Sequence, residues 1–172
     1  MTSGKVEHGV TLDPMTEEEF VAWVVPSVRD YAQAHVDSGR FTQEDALRAA
    51  KAEYMIQLSD GLRSVNHHLY TVRDAATRED VGVLWLNIRP KAGEPEAYVY
   101  DIAVREDQRG KGYGRATMLA CLQRARELGA ASVGLHVFGR NKIAWDLYSS
   151  LGFIETNVTM SLPLPPDEPS GN

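Results

Sequence analysis

Gly110, Gly112 and Gly114, each separated by one residue, stand where a strand-like run gives way to a helix-like one. Before them, Tyr98-Val99-Tyr100-Asp101-Ile102-Ala103-Val104 is rich in β-branched and aromatic residues, the composition of a strand. After them, Met118, Leu119, Leu122, Ala125 and Leu128 recur at three- and four-residue spacing, which predicts a helix with one buried face. Gly129 then supplies its stop. The three glycines therefore occupy a strand-to-helix turn in a chain of α/β character.

Glycine can take positive φ and bring its backbone close to a ligand with no Cβ in the way. The first turn of a helix adds unpaired N–H groups and the positive end of the dipole. With Arg109, Lys111 and Arg115 around it, the turn predicts a cradle for phosphate, a linked pair of phosphates above all. The alternative is a tight turn that needs glycine only for its geometry, ringed by three solvated basic residues.

A dinucleotide fold places G-x-G-x-x-G after the first strand of a βαβ unit, with an acidic residue roughly 20 residues further on. Here the spacing is Gly110-x-Gly112-x-Gly114, the turn lies past the middle of the chain, and no βαβ pattern follows. Arg109-x-x-Gly112-x-Gly114 instead resembles the R/Q-x-x-G-x-G/A pyrophosphate loop of the GNAT superfamily of acyl-CoA N-acyltransferases. Downstream, Asn141-Lys142-Ile143-Ala144-Trp145-Asp146-Leu147-Tyr148, then Leu151-Gly152-Phe153, resembles that superfamily's N-x-x-A-x-x-x-Y…G-F segment. The two motifs in this order are far more specific than either alone. The resemblance implies an α/β (α+β) fold: a mixed, mostly antiparallel central sheet flanked by helices, with a splayed parallel strand pair at the acyl-CoA site. It also implies one acyltransferase domain over residues 1–164, followed by a flexible tail over 165–172.

The 172 residues, 43% of them hydrophobic, can bury one sizeable core. A formal charge of −6 argues against nucleic-acid binding and suits a cationic substrate such as an amine. The single Cys121 cannot form an internal disulfide and falls on the apolar side of the glycine-loop helix, where it reads as packing. With no leader pattern and no apolar run of membrane length, the expected location is cytoplasmic, away from any membrane.

Val10-Thr11-Leu12 reads as a short first strand. Thr16-Glu17-Glu18-Glu19 matches a capping box opening a helix to about Val36, which Pro26 is expected to kink or divide. Thr42 caps a second helix with Ala46, Ala49, Ala50, Tyr54 and Leu58 on its buried side. In GNAT proteins this helical pair commonly walls the acceptor site. Its acids, Glu53 among them, could attract an amine, although such charges are more often solvated faces. His67–Val72 and Val81–Ile88 predict an antiparallel hairpin, and Pro90–Pro95 a link to the central strand. Ser132–Phe138 predicts a further strand, Asn141 begins the last helix, and Phe153–Leu162 predicts a final strand. That exposed strand could pair across a homodimer.

The resemblance implies that backbone N–H groups of Arg109, Gly110, Lys111, Gly112, Tyr113, Gly114 and Arg115 hold the pyrophosphate of acetyl-CoA. It implies that Ile102, Ala103 and Val104 offer strand backbone to the pantetheine arm, and that Asn141 and Ala144 lie along that arm. Tyr148 becomes the general acid that protonates the departing thiolate; taken alone it would read as a core aromatic. The acceptor amine needs a base, and many GNAT enzymes carry a Glu on the central strand where this chain has Tyr98 and Tyr100. Asp101, within the strand, and Glu96, just before it, are the carboxylate candidates. His67, His68 and His136 are others, and a water chain with no dedicated base is the remaining option. Strand alternation prevents His67 and His68 from facing one cleft. No spacing suits a metal, and none is expected. The implied function is acetyl transfer from acetyl-CoA to an unidentified primary amine. The alternative is a non-catalytic module that senses acyl-CoA or regulates a partner.

Overall fold

The computed structural model describes residues 9–164, in two compact units that divide between Phe138 and Gly139. The expected tail over 165–172 lies outside the described residues.

The first unit is a five-stranded sheet with helices on both faces. Strand β1 (Val10–Pro14) leads to helix α1 (Glu17–Asp37), helix α2 (Gln43–Gln57) and a short 3-10 turn at Gly61–Arg63. Strands β2 (His67–Asp74), β3 (Asp80–Lys91) and β4 (Glu94–Val104) follow, then helix α3 (Tyr113–Glu127) and strand β5 (Ser132–Leu135). The strands lie in sequence order, and every neighbouring pair is antiparallel except β4 with β5.

The capping box forms as its residues dictate. Thr16 Oγ1 accepts the Glu19 N–H at 3.2 Å, and the Glu19 carboxylate accepts the Thr16 N–H at 2.8 Å. Thr42 caps α2 in the same way, accepting the Asp45 N–H. Pro26 does not divide α1. It forfeits one helical hydrogen bond at an exposed position, where water can satisfy the freed carbonyl.

The link expected over Pro90–Pro95 is itself strand. Pro90 lies opposite Pro95, and only Ala92 and Gly93 make the turn, with φ of 51° and 89°. Two successive positive φ values belong to the tight hairpin turn whose twist matches that of its strands. Strand β4 therefore starts at Glu94, which places Glu96 inside the strand rather than before it.

Helices α1 and α2 cover one face, where Val28, Ala32, Ala46, Ala50 and Tyr54 pack with Leu69 and Trp85 of the sheet. Trp85 is 2% exposed, and burial of such a side chain contributes about 3 kcal/mol. Helix α3 covers the other face with Met118, Cys121 and Ala125, and Arg124 donates from Nε to the Tyr70 hydroxyl at 2.8 Å. Leu69 and Tyr70, adjacent in β2, thus serve opposite faces.

The second unit contains helix α4 (Lys142–Ser150), capped by Asn141. The strand expected over Phe153–Leu162 does not form. Ile154, Val158, Met160 and Leu162 are all strongly exposed, so alternation there buries no face, and the edge on which a homodimer was expected to pair is missing.

Candidate active site

The glycine turn joins β4 to α3 through a 3-10 turn at Glu106–Gln108. Gly110 and Gly112 have φ of 76° and 94°, which a residue with a Cβ adopts only under strain. A Cβ at either would meet nothing within 4 Å, so glycine is required by backbone angle and the space above is open. Thr16, Thr42 and Asn141 cap α1, α2 and α4 with their side chains, whereas Gly112 at the start of α3 has no side chain with which to cap. Arg109 Nε donates to the Val104 carbonyl at 3.2 Å and Lys111 Nζ to Gln108 Oε1 at 2.9 Å, which pins both basic side chains beside the turn.

Tyr113 has a structural side chain. It is buried, and its hydroxyl donates to Asp74 Oδ2 at 2.7 Å. Asp74 also accepts the N–H groups of Ala76 and Thr77 at 2.8 Å each. These bonds, the one from Tyr113 foremost, hold the Asp74 carboxyl well below the usual carboxylate range, and the Tyr113 phenol is raised to about 12 in return. The start of α3 is thereby tied to the end of β2. Sequence reasoning missed this anchor.

Strand β4 pairs with β5 only from Glu96 to Val99, opposite Ser132 to Leu135. Beyond Val99, no described strand joins that edge, and Ile102, Ala103 and Val104 pair only with Leu84, Val83 and Gly82 of β3. The parallel pair thus splays at Tyr100, and β5 ends three residues earlier than expected.

A bulge sits at the same place. Trp85 is opposite Asp101 while Leu86 is opposite Val99, leaving Tyr100 as the extra residue. The bulge resets the alternation. Tyr98 and Tyr100 line the α1–α2 side, and so do Asp101 and Ala103. Asp101 Oδ2 accepts from Trp23 Nε1 at 3.1 Å and Ser27 Oγ at 3.2 Å. Burial raises the Asp101 carboxyl above the usual range despite these two bonds. Glu96 differs: Arg89 holds it at 2.8 Å, Lys91 pairs with its other oxygen, and the residue is 1% exposed. Burial pushes its carboxyl up, but the bonds from Lys91 and Arg89 outweigh that and bring it below the usual range.

Between the helical pair and β4 lies a cleft of 320 Å³ whose floor includes Trp85, Tyr98 and Tyr100. Tyr31 donates its hydroxyl to Glu53 Oε2 at 3.0 Å within it, and Arg40 stands at the rim. A hollow of 280 Å³ beside it contains Asp101, Asp30 and Ser27 and shares Tyr31, Tyr54 and Tyr100. His67 and His68 part as alternation requires. His67 Nδ1 accepts from Trp85 Nε1 at 2.9 Å, which occupies the lone pair a base would use, while burial and the charge on Arg124 lower His68. His136 lines the cleft with its ring 4.9 Å from Phe138. Sequence reasoning did not single out Tyr31 or His35; their four-residue spacing on an otherwise apolar helix face was the available signal.

In the second unit, Asn141 Oδ1 accepts the Ala144 N–H at 3.2 Å, leaving the carboxamide nitrogen for other contacts. Tyr148 is half-buried, with its ring 5.7 Å from that of Phe153. Two helical turns separate Tyr148 from Asn141, so both occupy one side of α4. Cys121 is buried in the core with its thiol pushed up to about 12, too high for a nucleophile. Among the described residues, no group of three His, Cys, Asp or Glu is arranged to hold a metal, and no helix is long and apolar enough to cross a membrane.

A family model described as the Acetyltransferase (GNAT) family matches residues 29–153. The chain is 36% identical over 152 residues to the uncharacterized N-acetyltransferase YycN of Bacillus subtilis (strain 168), covering 88% of this chain and 97% of that one. The solved structure of YycN from Bacillus subtilis superimposes with a TM-score of 0.85, covering 91% of this chain and 99% of the other. A mycothiol acetyltransferase of Nocardiopsis dassonvillei is 32% identical over 169 residues, 92% of this chain but only 47% of that protein.

Proposed function

Because the chain belongs to the acetyltransferase (GNAT) family, we propose that it transfers an acetyl group from acetyl-CoA to a primary amine by direct attack in a ternary complex. One observation supports this reading above the others: the glycine-opened start of α3, with no side-chain cap, follows a strand whose edge no described strand joins beyond Val99. Such a turn offers N–H groups to a pyrophosphate, and such an edge offers backbone to the peptide-like amides of pantetheine. Arg109, Lys111 and Arg115 add charge around the phosphates, with Gly110, Gly112, Tyr113 and Gly114 contributing backbone.

The amine nitrogen attacks the thioester carbonyl carbon, and the carbonyl oxygen takes up negative charge that backbone N–H groups at the splay stabilise. The C–S bond then breaks, and Tyr148 gives its phenolic proton to the thiolate. We assign the proton leaving nitrogen to Asp101, directly or through water, because Glu96 is occupied by Arg89 and Lys91. Asn141 and Ala144 belong to the CoA arm on this reading. An acetylation assay across an amine panel, following CoA release, tests it. Acetyl-CoA binding with no transfer to any amine would leave only a sensor of acyl-CoA.

A further inference from the structure

The cleft is lined by charges of both signs. The Tyr31 hydroxyl holds the Glu53 carboxylate inside it, and Arg40 stands at the rim. At Tyr98 and Tyr100 the charge of Arg89, whose guanidinium lies 3.7 Å from the Tyr98 ring centroid, comes ahead of that of Glu53. We infer that the acceptor is a small amine that also carries a carboxylate, with Arg40 and His35 holding the carboxylate at the rim and Glu53 drawing the amine.

The chain end of α1 builds the rim. Gly39, at φ 72°, reverses the backbone so that its N–H donates to the Val36 carbonyl at 2.9 Å and the Arg40 N–H donates to the His35 carbonyl at 3.1 Å. This paired closure of a helix end sets Arg40 directly against His35. Arg40 forms no ion pair among the described residues; its guanidinium rests 5.4 Å from the Phe41 ring centroid.

His35 is 4% exposed, and its buried Nδ1 has no hydrogen-bond partner among the described residues. Its ring is enclosed by Tyr31, Phe41 and Phe138, with centroids 4.4, 5.6 and 5.9 Å away. Burial, followed by the charge on Arg40, lowers the pKa of the imidazole. An orphaned buried N–H is rarer than an orphaned acceptor, so the ring proton belongs on Nε2. An imidazole N–H beside an unpaired guanidinium is suited to a carboxylate. The Glu53 carboxylate suits an ammonium group. A volume of 320 Å³ accommodates a small molecule that spans the two.

This inference rests on the transferase reading, and one experiment separates the two. Binding of the common L-amino acids, their methyl esters and their decarboxylated amines is measured by calorimetry on the full chain with CoA present. Transfer from acetyl-CoA is followed on the same compounds. At least one amino acid should bind 10-fold or more tighter than its ester and its amine, and Arg40→Ala should abolish that preference while acetyl-CoA affinity shows the fold intact. His35→Phe, which keeps a ring but removes the donor, should weaken the preference. Equal or tighter binding of the carboxylate-free compounds, or no amino-acid binding, overturns the inference. Transfer to carboxylate-free amines alone would overturn it while leaving the transferase reading in place. Amino-acid binding without transfer to anything would overturn the transferase reading and leave the ligand class.

Discussion

Trp23 and Asp101 meet across 3.1 Å, the indole N–H of α1 donating to a carboxylate that the β4 bulge has turned toward it. Ser27, one helical turn beyond Trp23, donates to the same oxygen at 3.2 Å. The other oxygen, Oδ1, has neither of these bonds, so the carboxylate is oriented without being saturated. This arrangement suits a residue that must both hold still and accept a proton.

If Asp101 is the base, kcat/KM should rise with pH along a limb lying above the ordinary carboxylate range. Asp101→Asn should lower kcat about 100-fold or more and erase that limb. Stability carries the opposite sign. A carboxyl raised by burial favours the fold when protonated, so its contribution is present below its unfolded pKa and lost as pH rises through the folded one. Asp101→Asn should therefore melt no lower than the parent at neutral pH, and its advantage should shrink in acid. An unchanged pH profile in the variant would remove Asp101 from the chemistry.

Tyr148→Phe keeps the ring against Phe153 and removes only the hydroxyl. As a general acid, Tyr148 should lose about 10- to 1000-fold in kcat on this change, with acetyl-CoA affinity and Tm nearly constant. Near-normal turnover at saturating substrates, with the loss appearing in Tm, would make it a packing residue.

The glycines of the turn should separate by backbone angle. Gly112→Ala forces a side chain into the left-handed region, at a cost of about 1 kcal/mol, and distorts the first turn of α3. Gly114 lies within α3 and is not among the positive-φ glycines, so Gly114→Ala should raise helix stability by about 1 kcal/mol and retain acetyl-CoA binding. Calorimetry on both variants decides. A folded Gly112→Ala with parental affinity would show that the turn does not shape the phosphate site.

The bond from Tyr113 to Asp74 predicts an acid effect. Because the Asp74 carboxyl is held low in the fold, its contribution is present above the unfolded carboxylate pKa and lost as pH falls through the folded one. Tyr113→Phe should lower Tm by about 3–6 °C near neutrality and flatten that acid dependence. Equal losses at pH 7 and pH 3 would mean that the phenol contributes packing alone.

Much of the scaffold could be read from local chemistry. Thr16 with Glu19, Thr42 with Asp45, and the positive-φ Gly39 and Gly129 mark their helix ends through bonds within a few residues. The antiparallel hairpin of β2 with β3 and the glycine turn were legible for the same reason. Features set by distant partners were hidden. Alternation puts Tyr100 and Asp101 on opposite faces, and only the pairing with Trp85 and Leu86 reveals the bulge that brings them together. Glu96 reads as a free acid until the Ala92–Gly93 turn folds Arg89 and Lys91 back onto it. The run from Phe153 to Leu162 has the composition of a strand, but composition does not provide a neighbour to bond.

Glu96 also owes its position to a residue with no side chain. A Cβ on Gly134 would stand 2.6 Å from Glu96 Oε1. The two sites are therefore interlocked, and the order in which they can change during divergence is constrained. Alanine arriving first at 134 collides with a carboxylate gripped by two cations. A small residue arriving first at 96 strands those cations but opens the space, after which 134 can grow. The path between the two states is passable through one intermediate only. A double-mutant cycle over the two positions would show this as an alanine at 134 that harms the parent and is tolerated once Glu96 is gone.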